Sequence, residues 1–502
     1  MAPKRVERSQ AVKNPHRKRR GVVRLVATQA AFACVAAVIC LSPFPLGSTA
    51  VSFVAAWGLL LGLAAICSVP ARLSGKSIVF LFAAFVSLGA YLVVIHEQIS
   101  VRPWFSSGLV HPIWARAGAV LGEDFPPIVS VVRDVPLIAI GAELAFVLML
   151  LVSFSIASDR RDGLRLLRVV AFAGAAYALL GIVTFAVDPG KILFWKNKTD
   201  HLANLTGTFT NRNTAAVFFG QTSVLWFLFW CEELRDMRER RGLNLRGAFQ
   251  RLVAHPTNRS LFALAIFVTT LCAVFMTGSR AGSVLTLIAL LVAFLAYFRR
   301  EFAHWKAMVA VGAIGSLVAT GLMLTVGGNV GQRFSIQGFS DEGRWPVYRT
   351  TMQIARDFPE LGTGLGSFVA IFQAYRPGDV SISGTWNRAH DVLLELASET
   401  GVFVAGGVLA WYLAILFLLI WAIMRRPTRD PLPISVALAA WLLAGLHSLV
   451  DFSLQIPGYA FMVAAIVGTG LAQALAPPSA SSRVEPGAAS PDLGDGLDER
   501  SR

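Results

Sequence analysis

Charged residues are scarce: they make up 15% of the 502 residues, against 55% hydrophobic. A soluble globular domain carries nearer about a quarter charged residues, so the chain is expected to be a membrane protein. Cysteine is also rare. Cys34, Cys40, Cys67, Cys231 and Cys272 fall in or beside apolar runs and form no C-x-x-C pair, which argues against a disulfide framework or a zinc site. No D-x-D occurs, which counts against a metal-dependent transferase using nucleotide sugars. The hydrolase signatures G-x-S-x-G and H-E-x-x-H are missing too. Gly362-Thr363-Gly364-Leu365-Gly366 follows no strand and lacks the lysine of a phosphate loop, so it reads as a backbone turn.

What the chain has in abundance is apolar runs of about 20 residues, the length at which a helix spans a bilayer. Lipid leaves backbone groups no external partner, so these runs are expected to be helices. We place twelve spans, near 22–41, 49–69, 78–95, 135–157, 169–187, 215–231, 261–277, 283–298, 307–326, 402–423, 434–450 and 457–474. The first follows a basic segment, 1–20, and is read as an uncleaved helix, not a signal peptide. The chain then divides into a basic tail (1–20), five N-terminal helices (21–187), a core (188–476) holding a long polar loop (327–401), and a Pro/Gly/Ser-rich tail (477–502) expected to be disordered.

The net charge of +15 is not a nucleic-acid signature. Lys and Arg concentrate at the N-terminus and in alternate loops: 72–76, 160–168, 235–259, 299–306 and 425–429. With twelve spans these fall on one side, cytoplasmic by the positive-inside rule, together with both termini. The arginine-rich segment after the sixth span is expected to form a surface helix facing anionic lipid. Segments 96–134, 188–213 and 327–401 then lie on the far face, joined there by the turn Gly278-Ser279-Arg280-Ala281-Gly282.

Candidate functional residues converge on that far face. Arg280 sits in a turn too short to reach far into water, on the face poor in positive charge, where an arginine is a functional candidate. Arg212 closes a second polar loop, and Arg344, with Arg349 and Arg356, lies in the long one. Guanidinium groups present planar paired donors that match phosphate oxygens, which suits a lipid-linked diphosphate. His390 opens a short amphipathic helix with apolar residues at 392, 393, 396 and 397. An imidazole there can take a proton from a sugar hydroxyl, or can serve structurally at a helix start. Glu399 lies on the same helix as a supporting candidate. His447 and Asp451 stand four residues apart, on one face of the eleventh span, as a structural pair or half of a proton relay.

Five motifs, in order, carry a resemblance: G-T-F-T-N-R-N at 207–213, T-G-S-R-A-G at 277–282, G-R-W at 343–345 with P-E-L-G-T-G-L-G-S-F at 359–368, A-H-D-V-L-L-E-L-A-S-E-T-G at 389–401, and H-S-L-V-D-F at 447–452. Over about residues 200–475 the chain resembles the O-antigen ligase and O-antigen polymerase superfamily of bacterial envelope enzymes. The resemblance implies an all-α, GT-C-like fold of about twelve transmembrane helices, with a long periplasmic loop between helices 9 and 10. It implies transfer of a glycan from undecaprenyl diphosphate at the periplasmic face of the inner membrane, with no metal, nucleotide or other cofactor, by an inverting reaction. The acceptor would be lipid A–core for a ligase, or another lipid-linked glycan for a polymerase; a protein acceptor stays open. By resemblance, Arg212 and Arg280 hold the diphosphate and His390 activates the acceptor hydroxyl, with Arg344 assisting. The family often has Asn after the histidine, where this chain has Asp391. A polysaccharide transporter is the non-enzymatic alternative; it would call for an internal repeat and mid-membrane broken helices, neither of which the sequence displays.

Overall fold

A computed structural model describes residues 15–70, 73–301, 344–378, 380, 386–425 and 431–477. The ninth expected span, the first part of the long loop and most of both outer tails lie outside the described residues; residues 15–20 of the first tail belong to the first helix. Among the described residues the regular structure is helical apart from two antiparallel two-residue strands, Lys191–Ile192 and Lys196–Asn197. It is an all-α polytopic membrane protein. In order, the helices are α1 (Pro15–Leu41), α2 (Val51–Cys67), α3 (Gly75–Ile99), α4 (Ile113–Leu121), α5 (Val135–Ile156), α6 (Arg160–Val187), α7 (Arg212–Arg241) and α8 (Leu245–Ala254). They continue with α9 (Asn258–Met276), α10 (Arg280–Tyr297), α11 (Trp345–Asp357), α12 (Phe368–Tyr375), α13 (Val392–Thr400), α14 (Val402–Arg425), α15 (Leu432–Ser448) and α16 (Pro457–Leu475).

Among the described residues, nine helices are long and apolar enough to cross a bilayer, and α2 and α15 are shorter apolar helices. Two expected boundaries shift for a physical reason. Helix α7 does not stop near residue 231 but runs to Arg241, because Arg235 pairs with Glu239 at 2.7 Å and Asp236 with Arg240 at 3.4 Å, both at i, i+4. It ends at Gly242, whose φ of 64° forms a left-handed cap. The separate amphipathic helix is therefore only α8, which buries Ala248 and Leu252 and exposes Phe249 and Val253.

Two helices form the centre. Helix α16 is buried from Pro457 to Leu475 except at Gln473, and α7 is buried from Thr214 to Trp226. Apolar helices in lipid gain little from mere apolarity, so close packing and polar ties set their arrangement. At Gly220 of α7 an added Cβ would stand 2.2 Å from Thr286 Oγ1, so glycine lets α7 and α10 approach. Gln221 Nε2 donates to Tyr459 Oη at 3.0 Å and to the Ala440 carbonyl at 3.2 Å, tying α7 to α16 and α15.

The loops of one end of the bundle meet. Gln98, fully buried at the end of α3, donates to the carbonyls of Leu361 (2.7 Å) and Glu399 (2.8 Å) and accepts from the Leu365 N–H (3.0 Å). Val131 N–H donates to the Thr363 carbonyl at 2.8 Å, and Leu205 N–H to the Met276 carbonyl at 3.0 Å. The 362–366 turn has positive φ at each glycine, 66°, 104° and 78°. A Cβ at Gly362 would also lie 2.3 Å from the Glu399 carbonyl carbon. Gly362→Ala is expected to lower stability by about 1–3 kcal/mol or more, since backbone strain and a backbone clash combine. Thermal unfolding of the detergent-purified chain, followed by size-exclusion profile, checks this; an unchanged midpoint would refute it.

Candidate active site

The end-loops bring helix starts together. Asn211 caps α7, its Oδ1 accepting from the Asn213 N–H at 2.7 Å, so Arg212 is the first helical residue. Ser279 caps α10, its Oγ accepting from the Gly282 N–H at 3.2 Å, so Arg280 is also a first helical residue. The two starts are joined: Ser279 Oγ donates to Asn213 Oδ1 at 2.9 Å. Both arginines are half-buried, and Arg212 Nη1 donates to Asn204 Oδ1 at 3.1 Å. Each helix start adds partial positive charge from its unpaired N–H groups.

Asn213 continues the chain of contacts. Its Nδ2 donates to Asp451 Oδ2 at 2.7 Å, and the same oxygen lies 3.4 Å from His390 Nδ1. The other carboxylate oxygen accepts from Ser453 Oγ at 2.8 Å. Arg344 Nη2 stands 3.9 Å from Asp451 Oδ2, and Arg344 Nη1 donates to the Val450 carbonyl. Asp451 is only 1% exposed, which alone would raise its pKa; the His390 contact, followed by the charges of His447, His390 and Arg344, holds it well below the ordinary carboxylate range.

That depression gives a signed expectation. A lowered carboxylate pKa contributes stability that is present above the unfolded value, 3.8, and lost as pH falls below it towards the folded value. The thermal-stability gap between the natural chain and Asp451→Asn is expected to be constant above about pH 5 and to shrink below about pH 4. Melting curves of both proteins from pH 3 to pH 7 (a span of about four units) test it; a gap that widens on acidification would contradict the assignment.

His390 takes φ 60°, a left-handed conformation uncommon for a residue with a side chain. Its carbonyl accepts from Tyr348 Oη at 3.2 Å, and its ring meets Phe452 and Trp386 edge-on, with centroids 4.9 and 5.7 Å away. Nδ1 faces Asp451 at 3.4 Å, and Nε2 is the other ring nitrogen. Asp391 does not face that ring: its Oδ1 accepts from the Leu394 N–H at 2.9 Å and caps α13. Burial pushes the Asp391 carboxyl up.

Other expected residues sit elsewhere. Glu399 accepts from the Phe368 N–H at 2.8 Å and anchors the start of α12; burial, then the neighbouring Glu395, raises its carboxyl. Arg349 and Arg356 are exposed on α11. His447 is buried, and neither ring nitrogen has a hydrogen-bond partner among the described residues. Asp451 lies past the last residue of α15, so the i, i+4 spacing no longer holds both side chains on one helical face, and the carboxylate turns to His390. Among the described residues, no group of three or more His, Cys, Asp or Glu is arranged to hold a metal ion.

Residues 265–409 match the family model described as O-Antigen ligase. Over that stretch, less than a third of the chain, it is similar to the O-antigen ligase family, and the match supports a membrane enzyme of the O-antigen ligase and polymerase type. A search of curated proteins finds no match. The ligase domain as matched includes Arg280, Arg344, His390, Asp391 and Glu399. Arg212, Asn213 and Asp451 fall outside it, yet they hydrogen-bond into or beside the same cluster. Asn213 and Ser279 carry no evident role in the sequence, although both stand inside motifs; a small polar residue at a helix start reads first as a cap.

Proposed function

We propose that the protein transfers a glycan from undecaprenyl diphosphate to the hydroxyl of an acceptor sugar on lipid A–core, at the periplasmic face of the inner membrane. Both termini are then cytoplasmic. The observation that carries this is the junction of two arginine-bearing helix starts with a histidine–carboxylate pair, through Asn213.

In the reaction, His390 Nε2 takes the proton of the acceptor hydroxyl as its oxygen bonds to the anomeric carbon. The bond from that carbon to the diphosphate oxygen breaks on the opposite face, which inverts the centre. Undecaprenyl diphosphate leaves with the electron pair. Asp451 holds Nδ1 and balances the imidazolium that forms. Arg212 and Arg280, with the two helix starts, stabilise the charge gathering on the diphosphate. Arg344 braces the Asp451 turn, and Glu399 and Asp391 fix the helices around it.

The description of the matched family favours the ligase reading over polymerisation. Deletion of the gene, followed by analysis of surface polysaccharide, tests it. Long glycan accumulating on the lipid carrier with bare lipid A–core is the expected result. Single repeats without long chains would make the protein a polymerase. Unchanged surface glycan with unmodified carrier pools would refute both.

A further inference from the structure

Helix α13 buries its polar side. Glu395, Ala397, Ser398, Glu399 and Thr400 are buried, whereas the apolar residues 392, 393 and 396 are only half-buried. Glu395 is 1% exposed and takes no part in the reaction described above. A buried carboxylate is costly unless its oxygens are fully engaged. Here they are. Oε2 accepts from the Ala389 N–H at 2.6 Å; Oε1 accepts from Arg388 Nη1 at 2.9 Å and from Gln455 Nε2 at 3.0 Å.

These donors are not scattered. Arg388 and Ala389 immediately precede His390. Gln455 closes the short turn Ser453–Gln455 that follows Asp451, and Ser453 in that turn bonds Asp451 itself. One carboxylate thus grips the segments carrying both members of the His390–Asp451 pair. His390 meanwhile holds a left-handed backbone conformation that persists only where its surroundings enforce it. The Ala389 N–H bond one residue upstream, with the Tyr348 bond to the His390 carbonyl, supplies that enforcement.

We propose that Glu395 is a positioning residue that sets the His390–Asp451 geometry by clamping residues 388–389 to the 453–455 turn. The proposal rests on the reading of His390 as general base. Glu395 touches no substrate. Its removal leaves the donor site at Arg212 and Arg280 in place and lets the imidazole drift from its alignment, and misplacement of a reacting group is expensive even at about 1 Å.

The test uses the full chain in nanodiscs, with undecaprenyl-diphosphate-linked glycan as donor and lipid A–core from the deletion strain as acceptor. Glu395→Gln keeps the shape but loses the charge-assisted bonds; it is expected to lower turnover about tenfold or more, with KM for the donor within about twofold. In a His390→Ala background, read over long incubations, Glu395→Gln is expected to change the residual rate little, because two residues acting through one function do not add. Wild-type turnover by Glu395→Gln beside an inactive His390→Ala would overturn the clamp alone. So would an equal further loss in the double variant, the mark of a general folding role. A His390→Ala protein working at the natural rate would instead remove the general-base reading beneath it. Should Glu395→Gln fail to reach the membrane, Gln455→Ala, which unties only the Asp451 side, decides by the same criteria.

Discussion

Replacement of His390 by alanine is expected to reduce glycan transfer by about 10²–10⁴-fold while leaving the protein in the membrane at its usual level. The magnitude is that of a lost general base. The side chain contributes ring contacts to Phe452 and Trp386 and the contact to Asp451, yet it is 22% exposed, so its loss opens no deep cavity. On the proposed reading, the loss is that of the proton acceptor, and Asp451 loses its imidazolium partner in the transition state. Donor binding is expected to persist, because Arg212 and Arg280 stand on other helices. The measurement is glycan transfer in the deletion strain supplied with the variant, with carrier-linked glycan quantified alongside. Accumulation of loaded carrier is the expected result. Near-normal transfer would remove His390 from the chemistry and leave the fold untouched.

Arg280→Ala and Arg212→Ala are each expected to lower turnover by about 10²–10³-fold, the usual effect of deleting one preorganised donor at a site of developing charge. Lysine is expected to rescue poorly at either position. An ammonium is a point charge, whereas the guanidinium offers paired planar donors to adjacent phosphate oxygens. Arg212 gives the sharper contrast, since Asn204 already holds its Nη1 and fixes the orientation of the fork. Asn204→Ala should therefore resemble a mild Arg212 defect. Steady-state kinetics with varied donor separate the contributions. Unaltered turnover and donor KM in Arg280→Ala would rule out the clamp on the leaving group.

Particular residues show where sequence reading reaches the site and where it stops. The apolar spans are legible because bilayer thickness dictates helix length, and α3, α5, α14 and α16 lie close to their expected positions. Arg280 and His390 stand out by type, each beside a bland alternative: an arginine at the membrane boundary can snorkel to headgroups and a histidine can serve structurally at a helix start. The His390–Asp451 contact does not stand out. Spacing within α15 paired Asp451 with His447, and only the helix ending at Ser448 releases the carboxylate towards a residue 61 positions away. Glu395 was hidden by the amphipathic pattern itself. A helix whose apolar residues mark one face is assumed to bury that face, but the Gln98 side chain donates to the Glu399 carbonyl of α13, and the Ala389 N–H and the Gln455 side chain donate to the Glu395 carboxylate, so the polar side finds partners inside.

The order in which the ribosome releases these parts has a consequence for biogenesis. The cluster draws on Asn213 from the middle of the chain and on Asp451, Ser453 and Gln455 from the linker between the last two spans. Nine-residue α13 is too short to hold a place in the bilayer, and its Glu395 has one of its three donors still unsynthesised when α13 leaves the insertion machinery. The candidate site is thus completed only when the linker between α15 and α16 has been made, and a chain truncated before residue 451 is expected to insert without activity.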